Sequence, residues 1–151
     1  MLGVMNAEYL AREATAEVKH EFIAGEVFEW GAPRFGDWAL EHGALTNAFA
    51  TGLAHELSGR PFQVLRSELN ADVSVVSGAA PVLFVEVLAP STEADDRGAK
   101  AAQYRRLDSL KEYVLVSLTE RRIEVQRRNE RGIWELHFFG SGDHVDANPL
   151  Q

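Results

Sequence analysis

The sequence predicts a mixed α+β fold (mixed α/β) in which helices flank a mixed β-sheet, and three observations predict it. Pro81 to Arg106, PVLFVEVLAPSTEADDRGAKAAQYRR, reads as an apolar strand, a turn and a helix, and Tyr113 to Ser117, YVLVS, follows as a second apolar strand. Strand, helix and strand in that order imply a crossover joining two parallel strands. Ile123 to Arg128 and Ile133 to Phe139 alternate around a turn at Asn129 to Gly132, the pattern of a C-terminal hairpin. Ala39 to Leu57 carries Leu40, Ala44, Leu45, Ala48, Phe49, Leu53 and Leu57 at helical spacing.

The remaining elements follow in chain order. Asn6 caps a short N-terminal helix, Ala7 to Ala14, with Tyr9 and Leu10 inward. Lys19 to Trp30 reads as a hairpin around Ala24 and Gly25, and Gly31 to Asp37 as a loop. Gly59 and Pro61 end the long helix. Phe62 to Arg66 and Ala71 to Val76 are strands, the second stopped by Ser77-Gly78. Pro81 to Leu88 is nearly all apolar, as a central strand covered on both faces requires. Ser91 to Asp96 offers several helix caps, and Arg97 to Leu107 is the helix.

Length and composition set outer limits. A chain of 151 residues with 46% apolar and 25% charged content suits one domain, 1–151, with its own core. There is no cysteine, so disulfides and thiolate metal sites are excluded. No apolar run approaches the ~18 residues of a membrane span. The first residues, MLGVMNAEYLAREA, lack a basic segment followed by an apolar one, so the expected location is the cytoplasm. The net charge of −8 argues against a simple nucleic-acid coat. The charge is segregated, however. Arg97 to Arg131 holds ten Lys or Arg against five Asp or Glu, a net +5, which leaves −13 for the rest. Two readings stand, a local basic surface or solvated faces with incidental arginines.

The residue that demands an explanation is Glu86, an acid inside an apolar strand. A buried carboxylate is neutralised, paired or placed on a metal. Alternation puts Val82, Phe84, Glu86 and Leu88 on one face, and Asp72 and Ser74 on one face of their own strand. With those strands adjacent and in register, Asp72 and Glu86 point at one place, where they repel unless a cation or a shared proton lies between them. Mg²⁺ suits two carboxylates plus waters. Lys100, on the following helix, can orient or deprotonate an attacking water or stabilise charge on a phosphate. The competing reading is a partly buried Glu86–Lys100 ion pair with no metal.

The order VEVLAPST, DRGAK and YRRLDSLKEYVLVS, together with EYLAREA, KHEFIAGEV and the His42-bearing helix, resembles the Uma-two family of the PD-(D/E)XK nuclease superfamily over most of the chain. The resemblance implies a restriction-endonuclease-like core and cleavage of DNA by a water activated by Mg²⁺ (or Mn²⁺). It makes Glu86 and Asp72 the metal ligands. Lys100 becomes the lysine supplied from the helix, since Leu88 occupies the place two residues after Glu86. Glu26 and His42 match positions that are often polar in the family and line its site, with His42 holding a metal-bound water or a phosphate. Three features depart from the family pattern. Ala71 stands where proline usually precedes the aspartate. The segment between Ser67-Glu68 and the Glu86 strand is short, which leaves Glu68 as a rival for the earlier acid. The tail after Phe139 is also short.

Two rivals to the nuclease reading follow from the same residues. One is a silent nuclease-fold protein acting as a binding or assembly module. The other is a hydrolase of small phosphorylated substrates, in keeping with the acidic net charge. The other residues take plainer readings. His20 is structural, and His55 lacks the second histidine of a zinc helix. His137 and His144 are surface positions, and Trp30, Trp38 and Trp134 are core or oligomer contacts. Arg105 and Arg106 are either phosphate contacts or the solvated side of their helix. The apolar edges of the C-terminal hairpin allow a homodimer.

Overall fold

A computed structural model describes residues 20–23, 26–29, 39–66 and 71–145, with side chains from residue 40 onward. The N-terminal helix expected at Ala7 to Ala14 lies outside these residues, as does Glu68. Contacts divide the chain into two compact units, Met1–Arg34 and Phe35–Gln151. In the first, β1 (His20–Ile23) and β2 (Glu26–Glu29) form the expected antiparallel hairpin, with Ile23 opposite Glu26.

The second unit is a six-stranded sheet with helices. Its elements are α1 (Ala39–Glu56), β3 (Gln63–Arg66), β4 (Val73–Ser77), β5 (Ala80–Leu88), α2 (Glu93–Arg97), α3 (Ala99–Tyr104), β6 (Glu112–Ser117), β7 (Ile123–Arg128) and β8 (Trp134–Phe139). Spatial order follows sequence order, β3 to β8. All neighbours are antiparallel except β5 and β6, which run parallel with Glu86 beside Leu115. The crossover read from the sequence is therefore the observed one, and the fold is mixed α+β. No helix among the described residues is long and apolar enough to cross a membrane.

The two faces of the sheet have different jobs. One carries Val73, Val75, Leu83, Val85, Val87, Val114, Val116 and Val125, which pack with Ala50 and Leu57 of the α1 region into the main core. β-branched residues suit this layer because their χ1 is already restricted in a strand. The other face meets α2 and α3, where the Tyr104 ring packs on Phe84 at 4.6 Å and on Tyr113 at 5.2 Å between centroids. Phe84 and Glu86 share this face, as alternation requires. Val82 does not join them. It packs against the valine core, because the β4–β5 register shifts between Val75 and Val76.

Two helix expectations need correction. Leu40, Ala44 and Ala48 are exposed. The buried stripe of α1 is His42, Leu45, Thr46, Phe49, Ala50 and Leu53, so two polar residues face inward at i and i+4. The helix expected at Arg97 to Leu107 starts earlier, at Glu93, and breaks at Gly98. There the backbone turns to φ −103°, ψ −100°, and an added Cβ would stand 3.0 Å from the Ala94 carbonyl oxygen. Glu93, Asp95 and Asp96 in the first turn favour the earlier start, since acids complement the positive end of a helix. After Tyr104 the chain tightens into three-residue bonds, Arg106 N–H to Gln103 and Leu107 N–H to Tyr104.

The basic segment 97–131 is largely consumed by internal pairs. Arg97 bonds Glu93 and Glu124, Arg122 lies 3.3 Å from both Glu120 and Glu124, and Arg127 bonds Glu112. Arg105 donates to Gln126 at 2.7 Å, tying α3 to β7. Much of the positive charge cross-links helix and sheet, and Arg105 is one such strut.

Candidate active site

Strand β5 is buried on both faces, and Glu86 sits near its C-terminal end, 3% exposed. Its carboxylate is held from three sides. Lys100 Nζ lies 2.6 Å from Oε1, Tyr104 donates its hydroxyl to Oε1 at 3.2 Å, and the Asp72 backbone N–H points to Oε2 at 3.3 Å. Asp72 stands at the bend just before β4. Its Oδ2 accepts the Val87 N–H at 2.8 Å, a side chain taking the place of a ladder carbonyl where the strand stops. His42 Nε2 reaches the same oxygen at 3.1 Å from the buried face of α1. The two acids are thus each bonded to backbone at or next to the other.

Lys100 is 5% exposed and also lies 3.4 Å from Asp96 Oδ1. The backbone oxygen of Asp96 accepts the Tyr113 hydroxyl at 2.9 Å, which pins α2 to the sheet. Of the expected site residues, Asp72, Glu86, Lys100 and His42 therefore come together. Glu26 opposes Ile23 in β2, and its side chain lies outside the described residues.

Two members escaped the sequence reading, Asp96 and Tyr104. A signal was there. Asp96, Lys100 and Tyr104 are spaced at i, i+4 and i+8, one side of a helix. Starting the helix at Arg97 cut Asp96 off from that stripe.

Burial shapes the acids of this cluster. Burial drives the Glu86 pKa well above the ordinary carboxylate value; Lys100 opposes that rise, while the Asp72 and Asp96 charges add to it. Asp96 is raised for the same first reason, with Lys100 again opposing. Among the described residues the carboxylates of Asp72, Glu86 and Asp96 lie close together with Lys100, and His42 stands on Asp72, an acid-rich set suited to a cation. Among the described residues no group of three or more His, Asp and Glu side chains forms a ready cation cage. Mg²⁺ does not need one, because it binds through one or two carboxylates and keeps several waters. The hard oxygen donors of Asp72 and Glu86 fit that requirement. One turn from His42, Thr46 Oγ1 is buried with no hydrogen-bond partner among the described residues.

The Tyr104 hydroxyl gives a direct test of how Glu86 is held. Tyr104→Phe keeps the ring stacking and removes one hydrogen bond to a carboxylate. It should lower stability by about 1.5 kcal/mol, read as a lower urea midpoint at constant slope. An unchanged midpoint would show that the hydroxyl does not secure Glu86.

Comparison with known proteins agrees with this architecture. The Uma2 family model, described as "Putative restriction endonuclease", matches residues 7–151. An uncharacterized protein of Synechocystis sp. is 29% identical over 164 residues, covering 95% of this chain and 84% of the relative. A second from the same organism is 29% identical over 141 residues, covering 78% of this chain and 77% of its own. Among solved structures, a "putative nuclease belonging to DUF820" from Anabaena variabilis superposes with a TM-score of 0.68 at 16% identity, over 89% of this chain and 84% of that one. At that identity the match speaks to the fold.

Proposed function

The chain belongs to the Uma2 family of restriction-endonuclease-like proteins, and from that membership and the buried acid cluster we propose that it is a Mg²⁺-dependent endonuclease acting on DNA. The observation that carries the reading is Glu86, buried in the central strand, 2.6 Å from Lys100 and bonded to the Asp72 backbone. Desolvating both charges offsets much of their attraction, so stability alone gives little reason for such a pair.

Asp72 and Glu86 are the residues that would hold the metal, which supplies a Lewis acid and lowers the pKa of a bound water. The protein's own share is positioning. His42 and the Val87 N–H fix the Asp72 carboxylate, while Tyr104 and Lys100 fix Glu86. Lys100, steadied by Asp96, presents its ammonium where negative charge grows on a phosphate oxygen. The break at Gly98 sets α3 so that Lys100 and Tyr104 both reach β5 from the helix. The cytoplasm is the compartment we assign, since nothing in a cysteine-free chain calls for an oxidising one.

Supercoiled plasmid tests the reading. Wild-type protein with Mg²⁺ or Mn²⁺ should nick or linearise it, and both chelator and Glu86→Ala should stop cleavage. Equal cleavage by wild type and Glu86→Ala would assign the activity to a contaminant. No cleavage of plasmid or of shorter duplexes would favour the silent binding module.

A further inference from the structure

We propose that the outer edge of β8 is a self-association surface, on which two copies pair β8 to β8 antiparallel in the register centred on Leu136. This goes beyond the hydrolytic reading and does not depend on it. Among the described residues the large apolar side chains that stand exposed are Leu40, Ile133, Leu136 and Phe138, and three of these four lie in the β7–β8 hairpin. Leu136 is 52% and Phe138 61% exposed, on a strand that ends the sheet with no described strand on its outer side.

Proteins usually guard such an edge with shortness, charge, proline or a bulge. The opposite edge follows the rule: β3 has four residues and closes on exposed Arg66. β8 does not. Its six residues, WELHFF, contain no proline or lysine and pair with β7 without a register shift.

Backbone parity limits how a second copy can dock. The Asn129 N–H donates to the Ile133 carbonyl at 2.8 Å, so the odd-numbered residues of β8 turn their backbone groups toward β7. Trp134, Leu136 and Phe138 turn theirs outward. Antiparallel partners must then match even positions with even ones, which leaves registers centred on residues 135, 136 or 137. A centre at 135 opposes Glu135 to itself. A centre at 137 opposes His137 to itself and sets Glu135 against the partner's Phe139. A centre at 136 places Leu136 on the partner's Leu136 and Trp134 on the partner's Phe138, twice. On the other face it sets Glu135 beside the partner's His137, an acceptor beside a donor. Cross-strand apolar and opposite-charge pairs stabilise sheets, and like charges directly opposite destabilise them. The Leu136 register is thus the one that joins apolar to apolar side chains and sets the Glu135 carboxylate against a hydrogen-bonding ring, with no like charges opposed. A six-residue edge falls short of the ~1,600 Å² of a standard interface, so association belongs in the micromolar range.

The chain has no cysteine, so one introduced thiol is the only thiol present. In the proposed register the two Leu136 positions form a hydrogen-bonded pair about 5.5 Å apart between Cα atoms, inside the ~4.4–6.8 Å window of a disulfide. Mild oxidation of full-length Leu136→Cys should yield a covalent dimer. Glu135→Cys and His137→Cys should each stay monomeric alone and cross-link when mixed. Failure of Leu136→Cys to link, or linking by His137→Cys alone, would overturn the register. Sedimentation provides the second measurement. Wild type should dimerise, and Leu136→Lys, at a half-exposed site, should stay folded and associate at least ~10-fold more weakly. A wild type that is monomeric up to about 100 μM would overturn the surface itself.

Discussion

Lys100→Met should destabilise the protein by about 3–5 kcal/mol at neutral pH and reduce cleavage by at least ~100-fold. Methionine nearly conserves the volume, so the loss reports the charge and not a cavity. The ammonium lies 2.6 Å from Glu86 and 3.4 Å from Asp96, both buried. Without it those two acids and Asp72 lose the ammonium that stands among them. The cost must depend on pH. Burial already raises Glu86 and Asp96 in the folded state, and Lys100 is the first force opposing each rise. A carboxyl with a raised folded pKa binds more protons folded than unfolded, so its stability contribution is complete below the unfolded value, near 4.5 for Glu86, and is lost as pH climbs through the folded value. Removing Lys100 pushes both folded values further up. The gap between wild type and Lys100→Met should thus be small at pH 4 and widen toward pH 8, as urea unfolding at both pH values would show. A gap independent of pH would mean that the lysine acts by packing alone. The double variant Lys100→Met with Glu86→Gln should recover much of the loss, a coupling that only a direct pair produces.

The sequence reading succeeded where one physical signal spoke without competition. β5 and β6 are nearly continuous apolar runs, and the helical stretch between them allows only a crossover, so the parallel pair was legible. So was the meeting of Asp72 with Glu86, because adjacency and alternation alone aim both acids at one point. The errors arose where several contacts compete. Leu40 fits the helical period but lies at the end of α1, exposed. The inward stripe runs through His42 and Thr46, polar residues that periodicity counts as surface. The helix begins at Glu93, before the Arg97 start that the sequence suggests, and breaks at Gly98, so the Arg97 start left Asp96 outside the stripe it shares with Lys100 and Tyr104. The arginines of residues 97–131 looked like a surface field, since their partners are fixed by strand register. Glu112 faces Arg127 across β6 and β7, and Glu124 meets Arg97 from α2. No spacing along the chain announces such pairs.

Glu86→Gln separates stability from function most sharply. The amide keeps the shape of the carboxylate, still accepts from Lys100 and Tyr104 at Oε1 and has no charge to desolvate, while its NH2 takes the place of the Oε2 that accepts the Asp72 N–H, so that one bond is lost. A buried acid whose pKa is raised costs the fold stability above its unfolded value, which offsets the lost Asp72 bond, so the variant should stay within about 1 kcal/mol of wild type at pH 7.5, with a flatter pH dependence between 4.5 and 8. Cleavage should nevertheless vanish, because a neutral amide is a poor ligand for a hard divalent cation. Metal-linked stability makes the contrast quantitative. With Mg²⁺ at about 100 times its dissociation constant, wild type should gain about 2.7 kcal/mol. For a domain of this size that is a midpoint shift of roughly 5–10 °C. Glu86→Gln should show almost none of it. An equal shift in both proteins would place the cation elsewhere. No shift in either, with the variant the more stable, would mean that Glu86 and Lys100 form a neutralised pair in a nuclease fold that has given up its metal. Thermal melts of the two proteins, with and without Mg²⁺, decide between those outcomes before any substrate is known.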